Sequence, residues 1–397
     1  MSLEKIFRRT VSTLIIVSIL LFSAAVHAEI YTGEGKYIMS EGENLGVAKE
    51  RAKADAMRNA AEKAGTYIKS YTRTKNLVLE EDIIETMTAN ILKLVESPHF
   101  YPLKEVDNLE GILIRVTVKV QIDDSDINRW LNKNEQEKSM LVAQNEALRK
   151  ANTEQARQIE NLKRQLANAT TKHDKETITE NFAAEDKKFL SNQKVDAAQK
   201  LFDKGDYDGA IKLCNEAIEL DSDNALAWGL LGIACGRLGQ YERAIVDFNK
   251  AIKLNPNDDI AYNNRGVAYS KLGNKYSLVD RIFDVKSEDY YKSLEYFTNA
   301  IQDFNKAIEL NPNSYSAYNN LGIVYSSLDL YELAIQKFNK AIQINPNYAS
   351  AYHNRGAAFN SLKKFKQAIT DYDKAIELDP HDTLAKVLRE KIKELGH

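Results

Sequence analysis

Pairs of polar side chains that recur in nearly identical contexts are the best candidates for binding a partner. The strings AYNNRG, AYNNLG and AYHNRG begin at Ala261, Ala317 and Ala351. An asparagine amide both donates and accepts hydrogen bonds, so a row of such side chains can pair with the N–H and C=O groups of an extended peptide. Such pairing would not depend on the peptide's own side chains. The chemistry indicated is therefore binding of polypeptide backbone.

Residue combinations that are typical of enzymes do not occur in the sequence. The histidines lack the spacing of a metal site and lie at His27, His99, His173, His353, His381 and His397. The stretch GEGK at residues 33–36 lacks the earlier glycine and the following Ser or Thr of a phosphate-binding loop. The sequence contains no nucleophile elbow and no paired cysteine and histidine. We therefore predict no catalytic residue, no metal ion, no cofactor and no enzymatic activity.

The recurring strings belong to a longer repeat with a period of 34 residues. A second string, such as AIVDFNKAIKLNP, recurs at spacings of 34, 56, 34 and 34 residues, beginning at Ala210, Ala244, Ala300, Ala334 and Ala368. A fixed period of this length, built from two amphipathic helices, is typical of a helical solenoid. Five repeats are expected, over residues 191–224, 225–258, 259–314, 315–348 and 349–382.

Equivalent positions in these repeats carry the same kinds of side chain. The fourth position is aromatic and the eighth is glycine in the pairs Trp228 and Gly232, Tyr262 and Gly266, Tyr318 and Gly322, and Tyr352 and Gly356. A large ring fills the space between helices, whereas glycine lets their backbones approach closely. Proline ends the second helix at Pro256, Pro312, Pro346 and Pro380. This pattern closely resembles the tetratricopeptide repeat (TPR) family and implies an all-α solenoid over residues 191–382, with a solvating capping helix over 383–397.

The resemblance also assigns a face to the asparagines. In this family the first helix of each repeat lines the concave face through positions two, five, six, nine and thirteen. The resemblance thus implies that a protein or extended peptide binds a site formed by Asn263, Asn264, Asn319, Asn320, His353, Asn354, Ser316 and Ser350. The alternative, that these asparagines serve only the fold or solubility, stays open. Arg265 and Arg355, at position seven, are expected to point towards the packing seam between helices.

The third repeat contains 22 extra residues, 275–296, between its two helices. An insertion in a solenoid emerges as a loop or as a lengthened helix pair. It is either a contact site or a tolerated surface elaboration, and the sequence does not choose between them.

Residues 29–126 have a different periodicity and predict a small α+β domain. The string GILIRVTVKVQI alternates apolar and polar residues, as a half-buried strand does. Helices are expected over 43–64 and 81–92, and further strands over 30–39, 67–74 and 94–106. With its stretch AKERAKADAMRNAAEKAG, this β-α-β-α-β-β order is similar to the envelope domain of flagellar assembly protein T and LPP20-type lipoproteins.

A polar helix with a heptad seam is expected over residues 127–169. Asn145 and Asn152 at two a positions favour a short parallel coiled coil, because a buried asparagine is tolerated where it meets its own copy. The alternative is a single solvated helix that serves as a spacer. Residues 170–190, rich in charge and threonine, are expected to be a flexible linker to the solenoid.

The N-terminus and the composition limit the location and the partners. Residues 1–28 combine basic residues, an apolar run and small residues at a predicted cleavage site, as a cleaved secretory signal does. The alternative is an uncleaved inner-membrane anchor. The net charge of −3 gives no electrostatic reason to bind nucleic acid. Cys214 and Cys235 are too few for a disulfide scaffold and are expected to pack as small hydrophobic residues.

These features together favour a multidomain scaffold that is exported, to the bacterial periplasm or cell envelope. Once the signal is cleaved, the protein is expected to have no integral membrane span. It would form a homo-oligomer through the coiled coil and bind polypeptide through the solenoid. A second hypothesis makes the N-terminal domain an accessory enzyme or a small-ligand-binding unit, with the repeats as a docking arm.

Overall fold

A computed structural model describes residues 28–39, 43–74, 81–105, 112–131, 135–283 and 288–394. It divides into two compact units, one of residues 1–142 with 171–183 and the other of residues 143–170 with 184–397. The expected signal peptide, apart from Ala28, lies outside the described residues. No helix within the described ranges is long and apolar enough to cross a membrane.

The N-terminal unit contains an antiparallel sheet built around one long strand. Strand β1 (Ala28–Met39) pairs with β5 (Ile112–Asp123) along their whole length. The short strands β2 (Lys93–Leu94), β3 (His99–Phe100) and β4 (Lys104–Glu105) also pair with β5. The alternation expected for β5 is confirmed, because one face is buried through Ile114, Val116, Val118, Val120 and Ile122. The single strand expected over 94–106 is instead these short segments.

Helix α1 (Leu45–Thr74) covers the buried face of this sheet. Its contact side is a stripe of fully buried alanines at four-residue spacing, Ala48, Ala52, Ala56, Ala60 and Ala64. The strand expected over 67–74 is wrong, because these residues are the last turns of α1. Ile68 continues the four-residue spacing and packs with Ile84 and Met87 of helix α2 (Glu81–Ile91).

Two glycines in β1 let α1 lie directly on the strand. A Cβ at Gly33 or Gly35 would overlap the backbone carbonyl oxygen of Ala56 or Ala52, respectively. The GEGK stretch is therefore a packing contact within a strand. A second part of the core joins α2 to helix α3 (Asp124–Leu131) through Ile127 and Trp130.

Two long helices occupy the segments expected to form the coiled coil and the linker. Helix α4 (Glu135–Asn168) confirms a helix over most of the predicted heptad segment. Residues 170–190 are not a flexible linker, because helix α5 (Lys172–Asp203) contains most of them and continues into the first repeat. The heptad seam is partly used within the chain: Gln155 Nε2 donates to the carbonyl oxygen of Glu185 at 2.9 Å.

The C-terminal unit consists of consecutive helix pairs. Repeat one comprises the end of α5 and α6 (Tyr207–Leu220). The helices of the next four repeats are α7 (Ala225–Arg237) with α8 (Tyr241–Leu254), α9 (Asp259–Phe283) with α10 (Glu288–Leu310), α11 (Tyr315–Ser327) with α12 (Tyr331–Ile344), and α13 (Ala349–Ser361) with α14 (Phe365–Leu378). Helix α15 (Thr383–Glu394) follows. The described part of the insertion lengthens α9 and α10.

The position-eight glycines allow the two helices of a repeat to pack closely. A Cβ at Gly232, Gly266 or Gly322 would meet the ring of a buried phenylalanine from the second helix. Both cysteines are free and buried in this unit, as expected for small apolar side chains. Burial raises the pKa of each thiol to about 12, so neither is reactive near neutral pH.

Candidate peptide-binding face

The asparagines at positions five and six form hydrogen bonds from one repeat to the next. Asn320 Nδ2 donates to Asn263 Oδ1 at 3.1 Å. Asn354 Nδ2 makes the equivalent bond to Asn319 Oδ1 at 3.0 Å. We call Asn263, Asn264, Asn319, Asn320 and Asn354 the amide row. Position six of one repeat thus binds position five of the preceding repeat, and the first helices are joined along this face.

These bonds separate the predicted site residues into two groups. Asn263 and Asn319 are only 8% and 3% exposed, and the Oδ1 of each accepts a bond from the next repeat. Asn320 and Asn354 are half-buried. Each uses one N–H in the inter-repeat bond and keeps its Oδ1 and its second N–H for another partner. Their amide planes are held by the bond.

Asn264 is the exception in the row. Its Nδ2 is buried and has no hydrogen-bond partner among the described residues. The pairing rule explains this, because position five of the preceding repeat is Gly229, which has no side chain to accept the bond. A Cβ at Gly229 would meet nothing within 4 Å, so the space next to it is open.

The other predicted site residues lie near the ends of the first helices. His353 Nδ1 lies 2.7 Å from Asp382 Oδ2, and Asp382 Oδ1 accepts a bond from the backbone N–H of Ala385 at the start of α15. Ser316 Oγ lies 3.3 Å from Ser314 Oγ. Ser350 is exposed. His353 therefore connects the last repeat to α15, whereas Ser350 is open to a ligand.

The arginines at position seven point into the seam, as expected. Arg265 forms a two-pronged ion pair with Asp303 of its own repeat, with N–O distances of 2.8 and 2.6 Å. Its Nη1 also donates to Asn249 of the preceding repeat at 2.6 Å. Arg355 makes the equivalent bonds to Asp371 and Asn339. These arginines are not available to a ligand.

Sequence reasoning missed the partners of these arginines, although a signal was present. The second recurring string repeats an acidic residue and an amide or acid two positions later, as in DFNK and DYDK. Repeat two has this Asp247 but carries Leu231 in place of arginine. Asp247 is buried and its Oδ2 has no partner in the described structure. Burial raises its pKa to about 6, although a hydrogen bond with Cys235 and nearby Arg243 oppose the shift.

Clusters of potential metal ligands were sought among the described side chains. Within the described ranges, no group of three or more His, Cys, Asp and Glu side chains is placed to hold a metal ion. The first helices carry amides and hydroxyls near their N-terminal ends and the exposed charged residues Arg237 and Lys271 at position thirteen of repeats two and three.

The repeats are tetratricopeptide repeats. A family model described as TPR repeat matches residues 198–239, 236–273 and 289–329, and one described as Tetratricopeptide repeat matches 315–348 and 349–382. Residues 198–382 therefore carry the repeat that their sequence resembles. The resemblance of the N-terminal domain to flagellar assembly proteins stays a prediction. No curated protein matches the chain.

Solved structures of other repeat proteins are similar to about half of the chain. TTC0263, a thermophilic TPR protein from Thermus thermophilus, is 19% identical, with a TM-score of 0.43 over 51% of this chain and 98% of that chain. MamA protein is 26% identical, with a TM-score of 0.37 over 48% and 92%. YrrB, described as a TPR protein with an unusual peptide-binding site, is 22% identical, with a TM-score of 0.36 over 50% and 90%.

Proposed function

We propose that this protein is a non-enzymatic adaptor that binds an extended segment of a partner protein along the first helices of its repeats. The observation that carries the proposal is the inter-repeat bonding of Asn320 and Asn354, which holds two half-buried amides in fixed orientations. A group held in place before binding loses less conformational entropy when the ligand arrives. Each amide still offers one acceptor and one donor, which match the two polar groups of a peptide unit.

The surroundings of these amides suit a backbone ligand. The nearby polar groups are Ser350 and the partly exposed Ser316, and Arg265 and Arg355 are already paired in the seam. The amides themselves carry no charge, so they do not select for a strongly charged ligand. The exposed charged residues Arg237 and Lys271 lie at position thirteen of repeats two and three, at the other end of the first helices. The same amides could therefore hold segments of different sequence, and selectivity would come from side-chain contacts elsewhere.

We also propose that the protein acts outside the cytoplasm, in the bacterial periplasm or cell envelope. The support is the sequence of residues 1–28, with its basic start, apolar run and small-residue exit. Cell fractionation followed by N-terminal sequencing tests this, and recovery of the protein from the cytoplasmic fraction as a chain that begins at Met1 would contradict it.

A phage-displayed library of random peptides tests the binding function. The full-length chain is expected to recover peptides, and N320A/N354A is expected to recover at least about tenfold fewer, since hydrogen bonds of this kind contribute about 1 kcal/mol each. The matched control is N313A/N347A, which removes two exposed asparagines outside the amide row. Circular dichroism would show that each variant is folded. Recovery by N320A/N354A equal to that of the control would contradict the proposal.

A further inference from the structure

Helix α15 has the internal pattern of the first helix of a sixth repeat. Counted from Thr383, directly after repeat five, its third residue is the fully buried Ala385 and its tenth is the buried Ile392. The third residue of repeats two to five is also a buried alanine, and their tenth is buried and apolar, in Ala227 and Ala234, Ala261 and Ala268, Ala317 and Val324, and Ala351 and Ala358. In α15, as in the first helices of the repeats, positions three and ten are therefore the buried positions.

The seventh residue of α15 confirms this register. Arg389 Nη1 donates to Asp373 Oδ1 at 2.7 Å. Asp373 occupies the position in repeat five that Asn249 and Asn339 occupy in repeats two and four. Those two asparagines accept the equivalent bonds from Arg265 and Arg355, each at 2.6 Å. The capping helix is thus bonded to the last repeat as one first helix is bonded to its predecessor.

In this register, the residues of α15 that continue the peptide-binding face are not those of a solvating cap. Positions two and five are Leu384 and Val387, which are 56% and 62% exposed. In repeats four and five, these positions hold serine, asparagine or histidine. Position five of repeats three and four is buried against the next repeat, whereas Val387 is exposed. Position nine is Lys391. Because residues three and four apart share one side of a helix, these three side chains form a single strip. The exposed side of the capping helix therefore carries apolar as well as charged side chains.

Lys391 differs from the other basic residues of this helix. Arg389 pairs with Asp373 and Glu390, Lys393 pairs with Glu390, and Lys386 Nζ donates to the carbonyl oxygen of Pro380. Lys391 forms no ion pair with any residue that the structure describes. It presents an uncompensated positive charge one helical turn beyond the two exposed apolar side chains.

We propose that Leu384, Val387 and Lys391 form a terminal subsite that continues the amide row and sets the selectivity of the adaptor. The inference rests on the proposed peptide-binding function. The occupant is an extended segment of a partner protein that places a large apolar side chain on Leu384 and Val387 and an acidic side chain on Lys391. A helical turn of four residues rises about 6 Å, and an extended chain covers this in about two residues, so the two side chains are within about two residues of each other.

The subsite supplies what the amide row lacks. The row contacts the polypeptide backbone and distinguishes one sequence from another only weakly, whereas apolar burial and charge complementarity select particular side chains. Continuity of the first helices places both kinds of contact on one face.

Selection from the same random peptide library tests this inference. The full-length chain is expected to enrich peptides in which Leu, Ile, Met or Phe lies within two residues of Asp or Glu. L384S/V387S is expected to lose the apolar preference, and K391E is expected to replace the acidic preference with Lys or Arg. The controls V246S/L333S and K253E make the same changes at exposed positions on second helices, outside the first-helix face, and should keep the enrichment of the full-length chain.

The outcomes separate this inference from the proposed function. Recovery of peptides that depends on Asn320 and Asn354, but without the apolar and acidic enrichment, would overturn the subsite and leave the backbone-binding function standing. Failure to recover any peptide would overturn the function. Sedimentation velocity adds one further outcome: a dimer that dissociates in L384S/V387S would show that a second copy covers the strip, which would also overturn the subsite.

Discussion

At the scale of single residues, two kinds of hydrogen bond join neighbouring repeats, and each kind connects fixed positions of the repeat. Position six donates to position five of the preceding repeat, and an arginine at position seven binds an aspartate of its own repeat and position 25 of the preceding one. Where one partner is replaced, the other is left alone. Two buried examples are Asn264, whose Nδ2 faces Gly229, and Asp247, whose Oδ2 has no partner because Leu231 replaces the arginine.

The bond from position six to position five of the preceding repeat predicts that G229N stabilises the solenoid. The new amide would lie in the open space beside Gly229 and accept the free N–H of Asn264. A satisfied buried donor contributes about 1 kcal/mol, and replacing a helical glycine adds a few tenths. The free energy of unfolding from urea titrations measures the gain.

The matched control for this change is G229A, which removes the glycine without supplying an acceptor. A double-mutant cycle with N264A isolates the new bond, because G229N should lose its extra stability when Asn264 is absent. An equal gain from G229N in both backgrounds would show that only helix propensity had changed.

Asp247 lacks the arginine that pairs with the equivalent aspartates, so the free energy of unfolding is expected to depend on its titration. Its pKa is raised from 3.8 to about 6, so the folded protein holds this proton more tightly than the unfolded chain does. The stabilisation is fully present below pH 3.8 and is lost as the pH rises to about 6, amounting to about 2 to 3 kcal/mol. D247N mimics the protonated acid and should not show this loss. Urea titrations between pH 4 and pH 7 measure the difference.

Other carboxylates also titrate in this range, so the comparison needs a reference variant. D208N changes an exposed aspartate and should follow the pH profile of the unmodified protein. Parallel profiles for D247N and the unmodified protein would contradict a raised pKa at Asp247.

At the scale of elements, the N-terminal unit depends on the direct contact between α1 and β1. The alanine stripe and the two strand glycines bring the backbones together, and any added atom meets backbone instead of a movable side chain. The apolar core on both sides of this contact is filled by Ile, Val and Met side chains.

This contact predicts that G35A destabilises the N-terminal unit by about 3 kcal/mol or more, the upper part of the range for overpacking, because its Cβ would overlap the carbonyl oxygen of Ala52. The control is G65A in α1, the helix that packs on Gly35. A Cβ there lies at an ordinary 3.6 Å from Thr88 Oγ1, so alanine should be neutral or stabilising by up to about 1 kcal/mol. Thermal unfolding followed by circular dichroism compares the two, and equal melting temperatures would refute the packing account.

At the scale of the whole molecule, the heptad segment that suggested self-association is occupied within one chain. Gln155 and Ile159 are 7% and 4% exposed. Asn152, at an a position, accepts a hydrogen bond from Asn192 Nδ2 at 3.3 Å. A parallel coiled coil would have to break these contacts before the seam could meet a second copy.

We therefore predict that the full-length protein is monomeric in sedimentation velocity across the accessible concentration range. Replacing the exposed Asn152 by alanine should leave it monomeric, since only one long hydrogen bond is lost. A dimer that weakens in N152A would restore the coiled-coil interpretation and contradict the intramolecular role of the seam.

The sequence by itself determined the repeat, its helix pairs, the long strand β5 and the polar character of the first-helix face. These features follow from local periodicity, since the spacing of apolar residues at two or at three to four positions is set by strand and helix geometry. The same reasoning failed at residues 67–74, whose β-branched and aromatic content suggested a strand. There Ile68 joins the core of α1 and α2, and tertiary packing overrode local propensity.

Only the tertiary structure decided which of the recurring polar residues are buried in bonds between repeats and which stay partly exposed. Asn263 and Asn320 lie 57 residues apart along the chain, so no local pattern reveals their bond. The register between repeats decides whether an amide is buried against its neighbour or stays partly exposed. That register comes from how buried alanines and aromatic rings pack between helices, which is a property of the folded stack.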